Sequence, residues 1–163
     1  MANTIRELII AELTALFEAY PFEAIALPAV HRGRQVFDPD VDPPPLISIL
    51  ARQEESERIE YGIDRKTMRV DIICLEHIGT QNPSVLGEAI LGELLACTFG
   101  QVSEAGGVWT KTGGMTQTYA DDVIYKSGGI DAYPDQAGQQ ILHVGITVTV
   151  IYQTKPGDPY NQT

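Results

Sequence analysis

The chain has 163 residues, 44% of them hydrophobic, and 22 Asp and Glu against 11 Lys and Arg, for a formal net charge of −11. That length and apolar share predict one folded domain with a real core, expected to run over residues 1–163. The acidic excess argues against gripping nucleic acid phosphates, which takes clustered Lys and Arg. No apolar run is long enough to span a bilayer, and residues 1–13 lack the small-residue cleavage site of a secretory leader, so the expected compartment is the cytosol.

The first element is expected to be a helix. Thr4-Ile5-Arg6-Glu7 has the form of a capping box. Ile5, Leu8, Ile9, Leu13, Leu16, Phe17 and Tyr20 then fall on one helical stripe, and Pro21 stops it by pushing the preceding residue out of the helical region. Residues 24–27 and 29–37 read as short strands broken by Pro28 and Gly33. Residues 38–45, with four prolines, read as a stiff surface loop.

Two arms of a long hairpin follow, 46–59 and 68–75, with the tip placed at Gly62-Ile63-Asp64-Arg65-Lys66. Val70, Ile72 and Cys74 alternate with Asp71, Ile73 and Leu75, so that half of the second arm should be buried on both faces. The Glu-rich end of the first arm should reach water. A second helix is expected from Asn82 as cap and Pro83 at its first position to Gly100, with Val85, Leu86, Ala89, Ile90, Leu94 and Cys97 buried. Gly87 and Gly92 weaken such a helix and suggest close packing against a sheet. Residues 101–140 are glycine-punctuated, with one strand expected at 122–125. The last strand, 140–152, puts Leu142, Val144, Ile146, Val148, Val150 and Tyr152 on one face at period two. The fold class expected is α+β: a mixed, largely antiparallel sheet with two helices packed on one face and a projecting β-hairpin.

Chemistry-bearing patterns are sparse. His31, His77 and His143 lie in separate segments without metal-ligand spacing. Cys74 and Cys97 sit on apolar stripes, where a thiol is usually a small inert hydrophobe, and no Gly-rich phosphate loop is complete. Glu54-Glu55 and Asp121-Asp122 are strand neighbours that point to opposite faces, so they do not converge as an acid–base pair.

The order of these pieces resembles the tail terminator family of long-tailed phages, minor tail or tail-completion proteins often encoded by prophages. It is carried by the N-terminal amphipathic helix, the long hairpin, the helix after Asn82-Pro83-Ser84, and the final strand running into Thr154-Lys155-Pro156-Gly157-Asp158-Pro159-Tyr160. The resemblance implies a structural virion protein, neither enzyme nor cofactor binder, that closes as a hexameric ring on the tail tube. Such a ring stops tube polymerisation and presents the surface for head–tail joining. The implied partners are other copies of itself, the tail tube protein, a head-completion or connector protein, and DNA that passes without specific binding; no membrane is involved. Its place is the virion tail, and the bacterial host cytoplasm during assembly. A head–tail connector or a tail tube subunit is the alternative, and a small-ligand enzyme or binding domain is the reading from another class.

On that basis Arg58, Asp64, Arg65 and Lys66 are candidates for contact between subunits or with the tube, since mixed charges on a projecting ribbon can fix register. Tyr160, on a stiff Pro-Gly-Asp-Pro exit from the sheet end, is a candidate interface aromatic. Glu54, Glu55 and Glu57 are candidates to face the channel: six times −11 gives a ring of about −66, and acids along a bore would repel the phosphate backbone.

Overall fold

The computed structural model describes residues 2–37, 41–134 and 140–162. Helix α1 spans Ile5–Ala19, and the Thr4 hydroxyl accepts the Glu7 N–H as an N-cap. Only half of the capping box forms: the Glu7 carboxylate turns away to take two hydrogen bonds from Arg32, both 2.8 Å. Strand β1, Ala29–Arg32, is shorter than expected and stops at Gly33, whose φ of 72° suits a residue without a Cβ. The strand expected at 24–27 is a series of bends. Of the proline loop, residues 38–40 lie outside the described residues.

Strands β2 (Leu46–Glu60) and β3 (Ile63–His77) make the long hairpin. Its turn is Tyr61-Gly62, with Gly62 at φ 83°, so Asp64, Arg65 and Lys66 belong to the strand and not to the tip. Helix α2, Pro83–Phe99, begins at Asn82, whose side chain accepts the Ser84 and Val85 N–H groups, and ends at Gly100. Leu86, Gly87, Ile90, Leu94, Cys97 and Thr98 are its buried residues; Val85 and Ala89, expected inside, are exposed. Gly87 meets the sheet as anticipated, since a Cβ there would lie 2.6 Å from Ile130 Cγ2, whereas Gly92 has open space around it.

Beyond α2 the sequence signal thins but the structure does not. Strands β4 (Gln101–Ala105) and β5 (Val108–Thr112) form a two-stranded ribbon turned by Gly106-Gly107. Strand β6 runs Asp122–Pro134, far past the short strand expected, and β7 runs Gln140–Thr154. The main sheet has the order β1-β2-β3-β7-β6; only β1–β2 is parallel. The α+β class therefore stands.

Both helices cover one face. Ile9, Leu13 and Phe17 of α1 and Ile90 and Leu94 of α2 pack with Ile47, Ile49, Met68, Val70, Ile72 and Val144 through Val150 at period two. At roughly 25 cal/mol per Å² of apolar surface, this layer supplies the main favourable term of folding. Strand β7 pairs with β3 from His77↔Ile141 to Asp64↔Thr154, so the hairpin is backed by a third strand to its end. Its other side is less covered: β1 reaches only Ile49, leaving β2 from Ala51 onward as a sheet edge.

Candidate assembly interface

The charges at the far end of the hairpin pair with each other across the strands. Arg58 Nε donates to Asp64 Oδ1 at 3.3 Å, Arg65 Nη2 to Glu57 Oε2 at 3.0 Å, and Lys66 Nζ to Ser56 Oγ at 2.9 Å. Register places Arg58, Asp64, Ser56 and Lys66 on the helix side and Glu57 and Arg65 on the open side. The four candidates thus do share one end of the sheet, split between two faces and engaged in holding the hairpin together. The residue that caps this end is Tyr61, 98% exposed; the Tyr-Gly pair between two strand-like runs is the sequence signal that marks it.

The three candidate channel acids do not line one surface. A register shift between Ala51 and Glu54 bulges β2, so that Glu54 falls on the helix side opposite Met68 while Glu55 opposes Thr67 on the open side. Glu54 accepts the Tyr152 hydroxyl hydrogen bond and a 3.4 Å bond from Arg6 Nη1. Arg6 Nη2 also donates to the Arg52 carbonyl at 2.8 Å. Burial first, and then the adjoining Glu54 carboxylate, push the Tyr152 phenol well above its ordinary pKa. Glu54 is thereby a tie between α1, β2 and β7; Glu55 and Glu57 remain exposed.

The C-terminal segment does not project. Pro159 O accepts the Ile5 N–H at 2.9 Å, supplying a partner for one of the unpaired N–H groups at the start of α1. Asp158 closes the turn, accepting from the Tyr160 N–H and from Asn161 Nδ2, and Gln162 Nε2 donates to the Tyr119 carbonyl. Hydrogen bonds from Asn161 and the Tyr160 N–H hold the Asp158 carboxyl below its usual pKa. Tyr160 is 48% exposed, set on a folded loop rather than at the end of a rigid exit.

Two polar features of the sheet escaped the sequence reading. On the open face Asp71 accepts from Arg52 Nε at 2.9 Å, Thr147 Oγ1 at 2.8 Å and Arg69 Nε at 3.3 Å, joining β2, β3 and β7. Burial alone would raise its pKa, but the hydrogen bonds from Thr147 and Arg52 and the charge of Arg69 together outweigh it and lower the value. Beside it, Gly129 and Gly145 leave a shallow depression of about 240 Å³ bordered by Ser127, Asp131 and His143. Burial pushes the Cys97 thiol up to about 12 and Cys74 higher still, so both are protonated at neutral pH. Among the described residues no group of three or more His, Cys, Asp or Glu is placed to hold a metal ion, and no helix is long and apolar enough to cross a membrane.

What the surface does offer is unpaired backbone and an uncovered ribbon. All ten residues of β4 and β5 are exposed, among them Val102, Val108 and Trp109. The β6 edge is long and carries few charges, only Asp122, Lys126 and Asp131 along Asp122–Pro134. The β2 edge is dense in charge, the arrangement that discourages indiscriminate strand pairing.

No protein-family model matches the chain, and no curated protein matches it. A solved structure known only by a sequence identifier is similar in outline, with 14% identity and a TM-score of 0.40 over 90% of this chain and 93% of that one. A likeness at that level fixes neither ancestry nor activity.

Proposed function

We propose that this chain is a structural protein of a long-tailed phage, which caps the end of the tail tube as a ring of six, stops tube polymerisation and offers the surface for head–tail joining. The supporting observation is the β4–β5 ribbon, exposed along its whole length. A two-stranded ribbon is marginally stable alone, and one that carries Val102, Val108 and Trp109 into water is suited to a partner. The sequence resemblance supplies what that partner is: neighbouring subunits, the tube protein, and a connector on the head side. DNA passes through the ring without specific binding, in keeping with the formal −11 per chain. The protein acts in the virion tail, after assembly in the host cytoplasm.

A tail tube subunit is the second reading, favoured by one feature, the open β6 edge, because a subunit with free edges can stack without limit. The purified protein decides between them. Light scattering over a concentration series, with electron microscopy of the same samples, is expected to give discrete six-membered rings. Added to polymerising tube protein, those rings should fix tube length. Long tubes of this chain alone would select the second reading, and a strict monomer both alone and on tubes would reject the two together.

A further inference from the structure

Two surfaces lack a counterpart among the described residues. The first is one face of the β4–β5 ribbon. Its register sets Val102 across from Lys111 and Glu104 across from Trp109, so these four side chains share a face. Glu104 turns to accept the Gly107 N–H and Lys111 Nζ donates to the Met115 carbonyl, which leaves Val102 and Trp109 as the apolar centre. Trp109 is 73% exposed. The ribbon's root, by contrast, is fixed. A Cβ on Gly100 would lie 2.3 Å from Gly113 O and one on Gly114 would lie 2.4 Å from Gly100 N, so only glycines permit this crossing. The Met115 N–H also bonds to the Thr98 carbonyl at 2.9 Å. A ribbon whose direction is already set loses less entropy on docking.

The second surface is a groove of about 730 Å³ between the C-terminal half of α1, the middle of α2 and the ribbon's root. Leu16, Ala19, Ala89, Gly92 and Ala96 give it an apolar floor, with Glu23 and Glu88 on the rim. An added Cβ at Gly92 would meet nothing within 4 Å, so among the described residues no side chain fills that part. The volume lies in the range that holds an aromatic anchor with its flanking residues, and a tryptophan buries ~150–250 Å² in such a site. The chain's own Trp109 does not line it: the groove reaches the ribbon only at Gln101 and Thr112, three residues and ~10 Å of strand from Trp109 along a ribbon of fixed direction.

We propose that the ribbon of one copy docks in the α1–α2 groove of the next, with Trp109 as the anchor. The charge pattern agrees: Lys111, held at the Met115 carbonyl, keeps its positive charge beside Val102 and Trp109, while Glu23, Glu88 and Glu93 line the groove. The contact is head-to-tail, ribbon to groove, and repeated it closes a ring when the rotation permits. It rests on the self-association part of the proposed function and adds the residues that make the contact.

Trp109 is the chain's one tryptophan, so its emission reports the site alone. In wild-type protein the emission should move to shorter wavelength, and become shielded from iodide quenching, over the same concentrations at which light scattering shows mass increasing. Trp109→Ala, and independently Gly92→Leu, which fills the groove where there is room for a Cβ, should each raise the half-assembly concentration at least ~30-fold, a hot-spot effect. In dilute solution Trp109→Ala should keep the wild-type circular dichroism and melting temperature, and Gly92→Leu should keep the fold and melt no lower than wild type, since losing a mid-helix glycine favours α2. If wild type assembles while the tryptophan stays wet, or if both variants assemble normally, the docking is wrong and the ring reading survives. Shielding already present in dilute monomer would show the ribbon folded on its own groove and would overturn the docking too. A wild-type protein that stays monomeric at every concentration ends both ideas.

Discussion

The β2–β3 hairpin and the β4–β5 ribbon are both antiparallel pairs closed by a tight glycine-containing turn, yet they stand in different relations to the fold. In the first, Met68, Val70, Ile72 and Cys74 lie under the two helices, and β7 backs the hairpin to its end. In the second, all ten residues are in water and the attachment is a glycine crossing at Gly100, Gly113 and Gly114. Local pairing is the same kind of bond in both. What separates them is whether the alternate side chains meet another layer, since burial and not strand pairing carries most of the stability. The first hairpin is part of the folding unit; the second is held out by that unit.

The sharpest way to break this comparison is to cut one branched aliphatic side chain back to alanine in each. Ile72→Ala, at a site with no solvent exposure, should cost about 2–5 kcal/mol. Val108→Ala, on the ribbon, should change stability by less than about 0.5 kcal/mol. Urea denaturation of the dilute protein measures both. A ribbon substitution as costly as the core one would mean that the ribbon packs on its own body after all.

A smaller contrast runs within the first hairpin. Glu54→Gln weakens the acceptor that takes the Tyr152 hydroxyl and Arg6, and a charged partner lost from a half-buried network typically costs ~1–3 kcal/mol. Glu55→Gln, one residue on but on the other face, should lie within about 0.5 kcal/mol of wild type. Equal effects would show that the bulge between Ala51 and Glu54 does not set the faces as described.

That bulge also explains why the site was less legible in the sequence than the fold. Caps and periodicity act locally, so Thr4, Asn82-Pro83, Gly100 and the alternation of Leu142 through Tyr152 announce their elements. A bulge has no such signature here: Glu54, Glu55 and Glu57 are the same residue type in one run, and only the register decides which of them meets Arg6. Asp64, Arg65 and Lys66 follow Gly62 closely and read as part of the tip, but each is opposite a partner on β2. The ribbon offers no alternation of apolar and polar residues, since neither face is buried. The return of Pro159 to Ile5 spans almost the whole chain, and no local pattern encodes it.

The gentlest probe is acid, and it bears on the polar side of the hairpin. Asp71 sits on the open face with Arg52, Arg69 and Thr147, and its folded pKa lies below the ordinary aspartate value. The folded state therefore binds this proton less readily than the unfolded chain does. The stability it contributes is complete above the unfolded pKa of about 3.9 and is lost as pH falls through the lower, folded value. Asp71→Asn keeps the shape but removes the charge, so the variant should be less stable than wild type at neutral pH. On acidification the two should approach each other, with most of the convergence below about pH 4. Urea midpoints over a pH series follow this directly. A gap that stays constant down to the acid limit would mean that Asp71 acts through shape and hydrogen bonding alone, and that its charge adds nothing to joining β2, β3 and β7.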